Sequence, residues 1–257
     1  MHVAITGATG GLGRELAKHY AGSGRFLSLS GRDDQRLHDI AEICRELGAR
    51  VSVRKINITD AQAMDAWLTQ ADEQAPVDLL IANAGIGGAD VVVSEHGESA
   101  ALARRIVEIN TIGTMNTVAP LIPRMTRRKR GHIVIISSIS ATIGLPQSPV
   151  YCASKAALSV YSDAIRRLLR PHGVGVTCVL PGFIDTPMSR SLDLPRPWCW
   201  PPDKAARRIA RDIENGRSHS VFPWQLRYLI GLEKVLPVRL SDLLMQSVMK
   251  KGWSVNR

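Results

Sequence analysis

The sequence has no disulfide framework and no metal-ligand pattern. Its four cysteines, Cys44, Cys152, Cys178 and Cys199, are widely spaced, with no Cys-x-x-Cys and no paired histidines, so neither a bridge nor a zinc site is indicated. Long apolar runs are missing as well. The stretch 133–136 is far too short to span a bilayer, and residues 1–7 lack the charged n-region and apolar run of a signal peptide. A reduced, cytoplasmic protein without metal is the expectation. Aromatic residues make up 5% of the chain, and none interleaves Arg124, Arg127, Arg128, Lys129 and Arg130. That run therefore reads as an exposed helix end and not as a nucleic-acid patch. Acidic charge is in deficit: the net charge is +10, and from Arg196 onward twelve Lys/Arg face five Asp/Glu. Such an excess suits an anionic cofactor, substrate or membrane surface, or a merely solvated face.

What is present is alternation. Apolar strands at 3–5, 26–30, 51–53, 78–81, 132–137 and 174–179 are separated by segments of helical spacing, among them a long helix over 98–126 and another ending near Arg170. Near-continuous apolar strands alternating with helices predict an α/β fold, a parallel sheet covered on both faces. No repeat or linker interrupts 1–257, which reads as a single domain. A further helix over 203–215 and a short strand at 220–222 are expected to close the sheet.

Chemistry concentrates in a few places. Tyr151 and Lys155 stand four apart, hence on one helix face, with Ser138 thirteen residues upstream. An ammonium near a phenol favours phenolate, so Lys155 is expected to draw Tyr151 down toward neutrality and fit it for proton transfer. Between the first strand and the first helix lies Thr6-Gly7-Ala8-Thr9-Gly10-Gly11-Leu12-Gly13. Glycines there permit a tight turn and let amide N–H groups approach a pyrophosphate at the helix N-terminus. The spacing reads equally through Gly7, Gly11 and Gly13 or through Gly7, Gly10 and Gly13. After the second strand come Ser30-Gly31-Arg32 and no acid until Asp33. A carboxylate at this point bonds the free ribose 2′-OH of NAD, whereas a guanidinium suits a 2′-phosphate. Arg32, helped by the Thr9 hydroxyl, thus favours NADP(H), with NAD(H) as the alternative.

Taken together, Thr6-Gly7-x-x-x-Gly11-x-Gly13, Asn83-Ala84-Gly85, Asn110, Ser138, Tyr151-x-x-x-Lys155 and Pro181-Gly182 resemble a classical short-chain dehydrogenase/reductase over about residues 2–187. The resemblance implies a Rossmann-like doubly wound sheet and a catalytic set of Asn110, Ser138, Tyr151 and Lys155. In that set Tyr151 is the general acid/base, and Ser138 donates to the substrate oxygen. Lys155 bonds the nicotinamide ribose, and Asn110 holds a relay water. It also implies cofactor contacts at Gly7, Thr9, Gly11, Leu12, Gly13, Arg32, Asn57, Ile58, Asn83, Gly85, Lys155, Pro181, Gly182, Ile184 and Thr186. Two departures are modest. Asn57 replaces the usual aspartate toward the adenine, and its amide oxygen accepts the same bond. Ala82 replaces the first asparagine of Asn-Asn-Ala-Gly.

The implied reaction is interconversion of an alcohol and a ketone or aldehyde as small-molecule substrate. The alternatives are epimerisation or dehydration of a sugar or lipid-linked intermediate, or an inactive dinucleotide-binding protein. Residues 188–257 read as a substrate lid, rich in proline and tryptophan over 192–202, followed by two short amphipathic helices split near Pro237. Those helices suit subunit or pocket packing, or peripheral membrane contact. A homodimer or homotetramer through the helices at 98–126 and 150–170 is the family-typical expectation.

Overall fold

In the computed structural model, which describes residues 1–91, 97–192, 195–226, 228, 231, 236–240 and 242, seven strands form one sheet. They are β1 (His2–Thr6), β2 (Phe26–Gly31), β3 (Arg50–Lys55), β4 (Leu79–Ala82), β5 (Gly131–Ile136), β6 (Val174–Pro181) and β7 (His219–Phe222), in the order β3-β2-β1-β4-β5-β6-β7. All six pairings are parallel. Helices α1 (Gly11–Tyr20), α2 (Asp34–Glu46), α3 (Ala61–Gln74), α4 (Ala100–Val107), α5 (Gly113–Val118), α6 (Ile122–Arg128), α7 (Pro149–Leu169), α8 (Pro187–Arg190) and α9 (Pro202–Glu214) connect them. Two apolar layers follow from this. One packs α1, α2 and α9 on the sheet through Leu16, Leu37, Ile40 and Ile209. The other packs α3, the α5–α6 stretch and α7 through Met64, Leu68, Val118 and Leu158. β1 is buried at every position and β2 likewise, as strands covered on both faces must be. The terminal helices expected beyond Pro223 fall largely outside the described residues.

The long helix expected over 98–126 is interrupted. A π-helical turn at Glu108–Ile112 follows α4, and a 3-10 turn at Ala119–Leu121 separates α5 from α6. Pro120 and Pro123 remove backbone donors from the second half. The π turn widens the ladder, and the Thr114 hydroxyl donates to the Asn110 carbonyl at 2.7 Å. Hydrophobic periodicity does not register a single inserted residue, so the sequence pattern looked continuous.

The last strand is anchored by buried charge. Asp212 on α9, 2% exposed, accepts from Arg208 Nε at 2.7 Å and from the Ser220 hydroxyl of β7 at 2.6 Å. Arg217 Nε lies 3.4 Å away. Replacing Asp212 by Ala leaves a half-buried guanidinium and a buried hydroxyl without their acceptor. The expected cost is about 3 kcal/mol, against about 1 kcal/mol for Ser220→Ala, both read by urea unfolding.

Candidate active site

The strand order reverses between β1 and β4, and the crevice opens there above the carboxyl ends of the strands. The glycine loop lines one side. Asn83, just past β4, donates from Nδ2 to the carbonyls of Thr6 and Gly7 at 3.0 and 3.1 Å. The Thr6 hydroxyl in turn accepts from the Asn83 and Ala84 amides at 3.1 and 3.2 Å. Gly7 sits at φ +65° with Ala84 Cα 2.8 Å from where its Cβ would be. A Cβ at Gly13 would overlap the Gly7 carbonyl and come within 2.6 Å of Asn83 Nδ2; one at Gly11 would lie 2.5 Å from Thr186 Cγ2. At Gly10 the nearest atom is Gly7 O at 3.5 Å, an ordinary contact. The two readings of the loop are thus separated: packing within the protein demands Gly7, Gly11 and Gly13. The first intrahelical bond of α1 runs from Arg14 N–H to Gly10 O, which leaves the amides of Gly11, Leu12 and Gly13 for an anion at the helix start.

One cavity of about 900 Å³ joins this cradle to the catalytic candidates. Gly7, Thr9, Gly11, Leu12, Gly13, Arg32, Asn57, Ile58, Asn83, Gly85, Ser138, Tyr151, Lys155, Pro181, Gly182, Ile184 and Thr186 all line it. Asn110 does not. It is fully buried in the π turn, where Oδ1 accepts from Ile86 N–H at 2.8 Å and Nδ2 donates to Ile86 O at 3.1 Å. Nδ2 also reaches Ser154 Oγ at 3.3 Å, and Ser154 Oγ donates to the Tyr151 carbonyl at 2.7 Å. A Cβ at Gly85 would stand 3.0 Å from Asn110 Oδ1 and 3.5 Å from Lys155 Nζ, so both groups border one small space.

Tyr151 departs from expectation. Its ring is reachable from the cavity, yet loss of water raises its pKa above 10, with the Ser138 hydroxyl opposing that rise. Lys155 Nζ is 5.9 Å from the ring centroid and donates to Ile136 O at 3.1 Å. Burial lowers the lysine itself to about 8. Desolvation therefore sets the direction for the phenol, and the expected downward pull is not what this arrangement produces. Ser138 caps the 3-10 turn Ile139–Thr142, accepting from Ser140 N–H at 3.1 Å, while lining the cavity beside Tyr151.

At the far end, Arg32 is exposed beside Gly31 and Thr9. Asp33 caps α2 by accepting from Arg36 N–H at 3.1 Å, and its carboxylate pairs with Arg36 Nε at 3.3 Å. Arg36 lines the cavity too, a second cation that the motif after β2 does not reveal. Asn57 Oδ1 accepts from Thr59 N–H at 3.2 Å, so the oxygen assigned to adenine already shapes its own turn. Thr186 caps α8 in a reciprocal box with Ser189. The tryptophans of the expected lid stand elsewhere: Trp200 stacks on Phe222 at 5.0 Å, and Trp198 is 44% exposed. Met188 of α8 and Leu192 line the cavity. No side-chain cluster fit for a metal ion occurs among the described residues.

The cradle that a Cβ would fill, the unpaired helix-start amides and the two guanidinium groups fit a dinucleotide phosphate. Gly13→Ala should reduce dinucleotide affinity at least ten-fold and lower the melting temperature, since overpacking costs about 1–3 kcal/mol. Gly10→Ala should leave both within a few-fold of wild type. Fluorescence titration and thermal unfolding of the two variants decide it.

The short chain dehydrogenase family model matches residues 1–196. An uncharacterized oxidoreductase of Myxococcus xanthus is 34% identical over 239 residues, 93% of each chain. A dehydrogenase/reductase SDR family member 7B of Xenopus laevis is 34% identical over 73% of this chain and 59% of its own length. Among solved structures, a short chain dehydrogenase/reductase from Burkholderia phymatum in complex with NAD superposes with a TM-score of 0.82 at 22% identity, covering 91% of this chain and 92% of that one. A short-chain dehydrogenase from Sphingobium yanoikuyae in complex with NADPH gives 0.78 at 24% identity, covering 100% and 98%. The motifs, the sheet order and these likenesses agree: this chain belongs to the short-chain dehydrogenase/reductase family of oxidoreductases.

Proposed function

We propose that this chain is an NADP(H)-preferring oxidoreductase that interconverts an alcohol and a ketone or aldehyde, with Tyr151 as general acid/base. One observation carries the reading: Ser138, Tyr151 and Lys155 line the same cavity as a glycine cradle with Arg32 beside it. The nicotinamide, when bound, supplies or accepts the hydride. The protein's part is proton handling and placement. Tyr151, its pKa raised by burial, keeps its proton at neutral pH and passes it to the substrate oxygen during reduction. The Ser138 hydroxyl donates to the same oxygen as charge develops there. The Lys155 ammonium then favours the phenolate left behind. Asn110 borders the space over Gly85 that Lys155 also faces, the place for a relay water, and pins the loop after β4.

Arg32 and Arg36 support a 2′-phosphate on the adenosine ribose. The fold neighbours are solved with NAD in one case and NADPH in another, so preference has to come from residues at this corner. NAD(H) remains the alternative if Arg32 proves dispensable.

We further infer one domain over 1–257, acting in the cytoplasm as a homodimer or homotetramer. Support comes from Val107, Ile112, Val160 and Leu168, all exposed on the helices expected to pair, and from four cysteines present as free thiols. No helix among the described residues is long and apolar enough to cross a membrane. Peripheral contact through the terminal helices concerns a stretch lying largely outside the described residues.

Tyr151→Phe should lower turnover about 10²–10⁴-fold with little change in NADPH affinity. Wild-type reduction should stay level from about pH 6 to 7 and fall as pH rises through about 8, where Lys155 loses its proton, while the phenol, held above its reference value of about 10, keeps its own. Turnover of the variant within a few fold of wild type would remove the acid/base role. Arg32→Ala should raise the KM for NADPH roughly 10–100-fold, the worth of a charged hydrogen bond, and leave that for NADH nearly unchanged. Steady-state assays with both cofactors check this.

A further inference from the structure

The cavity has two ends of different character. Among the described residues its charged lining side chains, apart from Lys155, are Arg32, Asp33 and Arg36, all at the adenosine corner past β2. The end beyond Tyr151 is built by Val91, Ile139, Leu145, Phe183, Met188 and Leu192, drawn from the segments after β4, β5 and β6. The polar side chains described there, Ser138, Ser140, Gln147, Ser148, Ser189 and Ser191 among them, are uncharged. Two glycines bring α8 down onto this end. Gly88 takes φ +64°, and a Cβ on it would overlap the Met188 carbonyl and lie 2.6 Å from Ser191 Oγ. A Cβ on Gly87 would lie 3.1 Å from Met188 Sδ and 3.3 Å from Tyr151 Cε2. The thioether thus neighbours the edge of the ring proposed to carry the reacting proton.

We propose that the substrate is a neutral, apolar ketone or its secondary alcohol, whose hydrocarbon part lies against Met188, Leu145 and Phe183. The inference rests on the oxidoreductase reading and names its substrate class. A carboxylate in this end would meet no described counter-charge other than Lys155, and an unpaired buried charge is strongly disfavoured. Hydrocarbon gains from each methylene withdrawn from water. Met188 suits the contact because an unbranched thioether adapts to irregular apolar shapes. In the reaction the carbonyl carbon takes hydride from NADPH and the oxygen takes the Tyr151 proton, giving the secondary alcohol and NADP⁺.

The test compares 2-alkanones of increasing length with oxo-carboxylates of matching length, following NADPH consumption. In parallel, calorimetry measures binding of the corresponding alcohols and hydroxy acids to Tyr151→Phe protein saturated with NADP⁺. For the ketones and alcohols, both kcat/KM and affinity should rise about four-fold per methylene over the first few additions. The acids should fall at least 100-fold behind. Met188→Arg, at a position 44% exposed and so open to a long side chain, should narrow that gap at least ten-fold by supplying a counter-charge. A flat ketone series, or acids that match or exceed the ketones, overturns the proposal. Four-fold steps in alcohol binding without any ketone reduction would leave the apolar end standing and overturn the oxidoreductase reading instead.

Discussion

The clamp between Asn83 and the glycine loop is the constraint on which the site depends. Two bonds from one amide nitrogen tie the carbonyls of Thr6 and Gly7 to the chain leaving β4. They hold the ends of β1 and β4 at the point where the sheet order reverses. A loop so held leaves no room for a Cβ at Gly7 or Gly13, and it aims the start of α1 into the crevice. Asn83 serves the cofactor cradle by shaping it. The Asn110 pin on Ile86 repeats this logic one loop further on: its amide closes both hydrogen-bonding groups of a buried backbone unit, and the π turn makes room for it.

Electrostatics in the catalytic corner follow from burial more than from pairing. Lys155, 5% exposed, offers its ammonium to a backbone carbonyl, and a desolvated lysine holds its proton less tightly. Tyr151 loses water too and holds its proton more tightly. Burial therefore drives the two groups apart, the phenol up from about 10 and the ammonium down to about 8, and at neutral pH both still carry their protons.

Much of this was legible in the residues. Apolar runs separated by helical spacing are enough for a parallel sheet, because strands covered on both faces cannot alternate. The glycine turn, Ser138, Tyr151 and Lys155 all line one cavity, as their order along the chain suggested. The interruption of the helix at 108–112 was not legible, since one extra residue per turn barely alters an apolar stripe. Arg36 escaped notice because its position on the first turn of α2 looks like an ordinary solvated arginine. The place of Trp200 was not legible either, because its stacking on Phe222 of β7 joins segments that only the folded chain brings together.

The sequence by itself determined the sheet and the family, because each is encoded in local spacing and residue type. Tertiary structure alone decided which glycines are sterically required, since that depends on Asn83 and Thr186 arriving from distant segments. It also decided the direction of the Tyr151 shift, which is set by how much water the assembled walls exclude. And it decided what closes over the phenol: Met188 lies thirty-seven positions along the chain from Tyr151, and only the folding of α8 onto Gly87 and Gly88 makes them neighbours.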